Sequence, residues 1–303
     1  DTSKSSALIE EVITTARKKE ENQQVVPISI STVSSEQIEV LKIRDLTEIA
    51  SIPNVSLDEV GTANHVPNFQ IRGLGHNSSI ASIESPVAMI NDGIYIGNGV
   101  VSDGFDIESI QVLRGPQGTV MGKNSIGGAV LVNSKNPGDE WESKLRLAYD
   151  GFWSPGKSRN SYIQYATGGP ITETLKVRGV VHTNDNDGWH KNMFNNENHG
   201  AIKATMFRGT LVYDPSETLN VNLKFTSTET DGDGPSAQCF QLFQGGPSCF
   251  GMDRDRESFD LSIDEEGFLE DEGESLVLKV EKDIEFGDGL ITYIYGDNSY
   301  KMD

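Results

Sequence analysis

Beyond Trp141 the sequence alternates in steps of two, and the alternating segments are joined by connections of two sharply different lengths. LNVNLKF places Leu219, Val221, Leu223 and Phe225 on one face and Asn220, Asn222 and Lys224 on the other, the period of a half-exposed strand. SKLRLAY (143–149) and LKVRGVV (175–181) follow it less strictly. The spacing predicts about seven strands, near 142–152, 159–168, 173–185, 201–213, 218–230, 273–285 and 289–301. The first connection, Ser154 to Ser158, is short. After it, tight turns (GGPIT at 168–172, DPSET at 214–218, FGDG at 286–289) alternate with long polar loops (about 186–200 and about 231–272). Short turns at one end and long loops at the other are the pattern of a transmembrane β-barrel; a soluble β-sandwich or meander is the competing arrangement. Single-chain bacterial barrels have even strand numbers, and an open edge is not viable in lipid. The strands are therefore expected to begin a longer barrel.

Mean hydropathy, −0.40, does not decide between these, because barrel strands dilute their apolar face with a polar one. No apolar run approaches the length of a membrane-spanning helix. Lys and Arg total 25 against 46 Asp and Glu, a net charge of −21, which opposes binding to nucleic acid. Asp1 to Lys4 are not followed by the apolar core of a secretory signal, so a cytosolic or already processed chain is expected.

The first half reads differently. Residues 1–24 are polar and charged and are expected to form a flexible arm. VVPISIS (25–31) reads as a strand, and Ser34 followed by Gln37 predicts a capping box before a helix carrying Ile38 and Leu41. Asp45 and Glu48 open a second short helix that Pro53 stops. Strands are expected at 67–73, 86–96 (with a turn at Asn91-Asp92-Gly93), 106–114 and 126–134, giving a small α+β domain over 25–140 and barrel strands over 141–303.

The passage LRGPQGTVMGKNSIGGAV (113–130) is not a phosphate loop. Gln117 stands where G-x-x-x-x-G-K-[ST] needs its first glycine, and Asn124 replaces the hydroxyl residue. G-x-S-x-G and H-E-x-x-H are also absent, so no enzyme is expected. Cys239 and Cys249 stand in the loop CFQLFQGGPSC, where a disulfide would close a short ring; two buried thiols are the alternative, and a CxxC site is excluded by the spacing. Asp185-Asn186-Asp187 and Asp231-Gly232-Asp233-Gly234 offer oxygen ligands to Ca²⁺, but neither continues into an EF-hand loop, so solvated loops are the favoured reading.

IEEVITTARKKEENQQVVPISI, FQIRGLG, PVAMINDGIYIG and IESIQVLRGPQGTVMGKNSIGGAVLVNSKNP, in this order and spacing, resemble the plug domain of TonB-dependent outer-membrane transporters. The resemblance covers residues 9–137 densely and the barrel start by pattern. It implies a plug inside a barrel of about 22 strands, a bacterial outer-membrane location with the arm in the periplasm, and active import of a scarce nutrient. A ferric siderophore is the expected cargo, with haem, cobalamin, oligosaccharide or peptide as alternatives; a passive porin or adhesin is the rival without energy coupling. Expected partners are the energy-coupling protein TonB, outer-membrane lipid and a small-molecule or metal-chelate substrate. No cofactor is expected, and no separate N-terminal signalling domain.

The resemblance also assigns residues. Glu10, Glu11, Val12, Ile13, Thr14, Thr15 and Ala16 look like the TonB box, an extended stretch suited to adding a strand to a partner's sheet edge. Arg72, Glu108 and Arg114 fall on plug positions that resemble a latch to barrel carboxylates, or that stabilise the plug alone. Gly115, Gly118, Gly122, Gly127 and Gly128 are expected to supply positive φ or close backbone approach, and Met121 stands where the family usually has an aromatic. Apical loops at 61–67, 75–84 and 97–104 offer Asn64, His65, His76, Asn77, Ser78 and Asn98 to a substrate; His65 with His76 as a metal pair has little support.

Overall fold

The computed structural model describes residues 13–14, 21–22, 26–41, 52, 55–60, 63–75, 84–96, 104–151, 158–234, 260–265, 267–285 and 289–302. The chain forms two compact units. One comprises Asp1–Asp58, Pro67–Asn98 and Ile107–Lys135; the other comprises Glu59–Val66, Gly99–Asp106 and Asn136–Asp303. Glu59–Val66 and Gly99–Asp106 thus group with the later strands.

In the first unit, β1 (Ile13–Thr14) pairs antiparallel with β2 (Glu21–Asn22), so the described part of the arm is paired where a flexible segment was expected. β3 (Ser29–Ser34) leads into α1 (Ser35–Val40). The capping box is present: the Gln37 amide donates to Ser34 Oγ at 3.4 Å and the Ser34 amide to Gln37 Oε1 at 3.2 Å. The helix expected from Asp45 lies largely outside the described residues. β4 (Val55–Val60), which the sequence reading missed, pairs with β5 (Ala63–Ile71). β6 (Val87–Asn91) and β7 (Ile94–Tyr95) form the expected hairpin, with Asp92 at φ 47° and Gly93 at φ 90°, the two left-handed positions of a tight hairpin turn. β8 (Ile107–Arg114), a short α2 (Gly118–Met121) and β9 (Gly128–Ser134) complete it.

The sheet runs β3-β8-β9-β6-β7, antiparallel except for β6 beside β9. Parallel neighbours are buried on both faces, and β6 is buried at every position. Ala88, Ile90, Leu113, Ala129 and Leu131 form the core on one side, with Met121 and Tyr95 packed against it. Methionine fills an irregular space there by its flexibility.

The second unit is a seven-stranded antiparallel sheet in the order β10 (Glu142–Gly151), β11 (Arg159–Pro170), β12 (Leu175–Asn186), β15 (Ile202–Ser216), β16 (Leu219–Gly232), β18 (Leu269–Ile284), β19 (Gly289–Met302). The number and order of long strands match the sequence expectation. Within the intervening loops, β13 (His190–Asn192) and β14 (Glu197–His199) pair as a hairpin, and β17 (Asp260–Leu261) adds beside β13 in parallel.

Alternation sets the two faces. Leu145, Leu147, Tyr149, Phe207, Tyr293 and Tyr295 are exposed on one face. The other carries Arg178, Arg208 and Lys224, each under 8% exposed, among Ala166, Val180 and Met206. An apolar outer face and a polar inner one is the reverse of a soluble sheet and the arrangement of a membrane barrel wall. No described helix is long and apolar enough to cross a membrane.

Candidate functional site

β8 is the spine of the first unit, flanked by β3 and β9. Gln111, at its centre and 1% exposed, accepts a hydrogen bond at Oε1 from the Thr14 hydroxyl at 2.7 Å. Its own amide donates to Ser109 Oγ at 3.2 Å, which also accepts from Asn133 Nδ2 at 3.1 Å. Thr14 is itself 1% exposed. A buried polar group left unpaired costs more than a made hydrogen bond returns, so this chain of partners ties one residue of the expected TonB box to the sheet. Glu10, Glu11, Val12, Thr15 and Ala16 lie outside the described residues, as do the side-chain surroundings of Ile13.

The glycine-rich passage closes the sheet. Gly128, at φ 150°, begins β9, and a Cβ there would stand 2.2 Å from the Leu113 carbonyl oxygen. Gly118 differs from its expected role: it opens α2, has no left-handed φ, and a Cβ there would meet nothing within 4 Å. At the same end of the sheet Lys123 donates to Glu84 Oε1 at 2.6 Å and lies over the Tyr95 ring, whose hydroxyl accepts from Asn124 Nδ2 at 2.8 Å. Lys123 is thus a surface clamp on residue 84. The hydrogen bond from Lys123, foremost, holds the Glu84 carboxyl below its ordinary value.

Of the expected latch residues, Arg114 is half-buried and donates through Nη2 to Ser31 Oγ at 2.8 Å, across the β3–β8 pair. Arg72 is exposed, holds a left-handed φ of 54°, and brings its Nη1 beside Gly115; among the described residues it forms no ion pair. Glu108 is exposed at the opposite end of β8, six positions or about 20 Å from Arg114. The structure therefore brings Arg72 near Gly115, next to Arg114, but does not gather Glu108 with them.

A different ion cluster is present, and the sequence reading missed it. Gly99–Asp106 of the second unit ends in Phe105 and Asp106. Arg178 grips the Asp106 carboxylate with two hydrogen bonds, Nε to Oδ2 at 2.7 Å and Nη2 to Oδ1 at 2.6 Å, and turns Nη1 to Glu142 Oε1 at 2.6 Å. Arg208 donates through Nη2 to the carbonyls of Phe105 at 3.2 Å and Asp106 at 2.9 Å. Both guanidiniums and the Asp106 carboxylate are 2% exposed. Phe105, 1% exposed, enters a pocket of Ala166, Val180 and Met206, with Lys144 and Arg146 about its ring at 5.8 and 5.7 Å. Asp106 holds φ 59°, a conformation few non-glycine residues adopt and Asn and Asp tolerate better than most. The available signal was the run Glu142, Lys144, Arg146, charges at every second position of a strand whose other face carries Leu145, Leu147 and Tyr149. Its partner, 72 positions from Arg178, could not be paired by spacing.

Among the expected substrate residues, Asn64 and His65 lie on β5. Their side chains, and His76, Asn77, Ser78, Asn98, Cys239 and Cys249 entirely, lie outside the described residues. In the acidic loops, Asp187 accepts from Arg159 Nε at 2.6 Å, Asn186 Oδ1 from the Gly188 amide at 2.9 Å, and Asp233 from the Ala201 amide at 2.8 Å. No three or more metal-ligating side chains converge among the described residues. The two loops are joined at Asn192, 0% exposed: its side chain donates to the Ile263 carbonyl at 3.0 Å and accepts from the Ile263 amide at 3.2 Å.

Comparison with known proteins places this geometry. Residues 22–129 match the TonB-dependent Receptor Plug Domain family. The chain is 22% identical to the vitamin B12 transporter BtuB of Vibrio vulnificus, over 73% of this chain and 35% of that protein. It is 25% identical to the ferripyoverdine receptor of Pseudomonas aeruginosa, over 76% and 27%. Among solved structures, the ferric yersiniabactin uptake receptor FyuA from Yersinia pestis superposes with a TM-score of 0.69 at 19% identity, covering 91% of this chain and 41% of that one. The chain spans about a third of the length of the curated relatives it matches first.

Proposed function

Since the chain carries the plug domain of TonB-dependent outer-membrane receptors followed by antiparallel strands of their barrel, we propose that it takes part in TonB-dependent import of a scarce nutrient across the bacterial outer membrane. The observation that carries this reading is the succession itself: a plug-family match over residues 22–129, then seven antiparallel strands with an apolar outer face. In this reading, ligand taken up on the outer side lowers the free energy of the state with a released arm. TonB then pairs with Glu10–Ala16 and pulls, drawing on the inner-membrane proton gradient. A ligand shifts such an equilibrium only by its differential affinity for the two states. The contact between Thr14 and Gln111 supplies a docked state for that equilibrium.

A ferric siderophore is the proposed cargo, supported by relatives named as ferripyoverdine and ferric enterobactin receptors. Cobalamin is the second reading, favoured by the relative named as a vitamin B12 transporter. Deleting residues 10–16 from the complete polypeptide tests the mechanism. Uptake should stop while ligand binding persists; uptake that survives both the deletion and collapse of the proton gradient would instead mean a passive pore. Competition between ferric siderophores and cobalamin for binding decides the cargo.

A further inference from the structure

We propose that His190 and His199 bind a divalent transition-metal ion, with Asp233 as the positioning residue, and that the ion clips together the two long connections of the second unit. Neither TonB nor the nature of the cargo enters into it.

His190 opens β13 and His199 closes β14, and the hairpin register sets them directly opposite each other. Side chains opposed across an antiparallel pair leave the sheet on the same face, with Cβ atoms about 4.5–5.5 Å apart. One ring nitrogen of each can then reach a single ion at the roughly 2.0–2.1 Å of an imidazole–zinc bond. The pair is held from several sides. The Asn196 amide closes the hairpin by donating to the Asn192 carbonyl at 2.8 Å. The Trp189 ring meets the His190 ring edge-on, with centroids 6.3 Å apart. Gly188, at φ 78°, passes so close to β14 that a Cβ there would stand 2.6 Å from the His199 carbonyl oxygen.

His199 is the residue that calls for an ion. It is 0% exposed, and among the described residues neither of its ring nitrogens has a hydrogen-bond partner. Burying a polar group in that condition is costly, and an ion or an ordered water is what such a group takes in a folded protein. Its Nδ1 stands 3.9 Å from Asp233 Oδ2, too far for a hydrogen bond but near enough for the carboxylate to favour a proton on that nitrogen. Nε2 is then left as the metal ligand, the usual arrangement of carboxylate, histidine and metal. Asp233 is itself fixed: its carboxylate accepts from the Ala201 amide at 2.8 Å, and its own amide donates to the Ala201 carbonyl at 2.9 Å.

The ligand set selects the ion. Imidazole suits Zn, Cu and Ni, whereas Mg²⁺ takes oxygen. Two imidazoles leave the other coordination positions to water, in keeping with the absence of three converging metal-ligating side chains among the described residues. His190 is half-buried, which gives the ion access. Asp233 directly follows β16, and Asn192 binds Ile263 beyond β17, so the hairpin would be gripped near both ends of the other connection.

Cu(II) is the probe. The complete polypeptide, carrying no histidine tag and stripped with chelator, is titrated with Cu(II) in detergent micelles and read by electron spin-echo envelope modulation, which counts the imidazoles on the ion. The expected result is an ion with two imidazoles, falling to one in His190→Gln and in His199→Gln, with affinity lower by roughly tenfold or more. Asp233→Asn should keep both imidazoles and weaken binding roughly tenfold, as befits a residue acting through His199. Zn²⁺ should compete and Mg²⁺ should not. Failure of the unaltered protein to show a two-imidazole ion would overturn the proposal and assign the His199 nitrogens to buried water. A two-imidazole signal undiminished in His190→Gln would overturn it as well, by placing the ion elsewhere. That half-buried position decides the matter even if His199→Gln does not fold.

Discussion

The hydroxyl of Thr14 donates to Oε1 of Gln111, 97 positions away, and both residues are buried. A residue of the segment expected to pair with TonB is thereby held on an interior strand of the first unit's sheet, β8. Thr14→Val removes this hydrogen bond to the Gln111 carbonyl, at a cost of about 1 kcal/mol, roughly fivefold in the docked population. Hydrogen exchange across residues 13–22 should quicken by at least that factor with ligand affinity unchanged. Unchanged exchange would show that the arm is held by other contacts.

Phe105 is buried against Ala166, Val180 and Met206. Phe105→Ala leaves a cavity among Ala166, Val180 and Met206, and truncations of this kind cost about 3–5 kcal/mol. Exchange protection of residues 104–110 should fall accordingly, while the protection of β18 and β19 stays as it was.

Phe207 and Arg208 are adjacent on β15 yet face opposite ways, one 48% exposed and the other 1%. If the outer face meets lipid, Phe207→Arg should destabilise the folded barrel by about 2–4 kcal/mol at mid-depth. Equilibrium unfolding of the complete barrel from liposomes measures it. A loss near zero would place this face in water.

Two glycines of one passage should respond oppositely. Gly128→Ala drives a methyl into the Leu113 carbonyl and requires a φ that L-residues avoid, so the plug sheet should lose its protection. Gly118→Ala meets nothing, opens a helical turn, and should be neutral or slightly stabilising, by less than the roughly 0.5–1 kcal/mol of a helix interior. Thermal melting of the two variants compares them directly.

The exposed pair of Glu84 and Lys123 should respond to acid. With the Glu84 carboxyl held below its ordinary 4.5 by the lysine's hydrogen bond, the pair is intact at neutral pH. Its contribution is present above the carboxyl's unperturbed value and lost as pH falls through the lowered one. Carbon NMR of Glu84 should show that lowered midpoint, and Lys123→Met should return it toward 4.5.

What the sequence disclosed was local. The Ser34–Gln37 box, the Asp92-Gly93 turn and the two-residue period of the seven long strands each depend on neighbours a few positions away, and each is present. What it concealed was long-range. Arg178 and Arg208 stand at inward positions of their strands, and nothing within a few residues of either announces Asp106 as a partner. β4 went unread because VSLDEV alternates weakly and its partner, containing Asn64 and His65, resembles a loop in composition. Gly118 was given a backbone role by association with four glycines around it, when its position merely opens a helical turn.

The join at Asn192 has an evolutionary side. Because one amide side chain holds both ends of its hydrogen-bonding capacity on Ile263, two loops far apart in sequence share a single structural node. Their lengths cannot drift independently near that node: an insertion between Asn192 and β14, or between β17 and Ile263, breaks the same three-strand patch. Length changes should be tolerated better away from that node than at it.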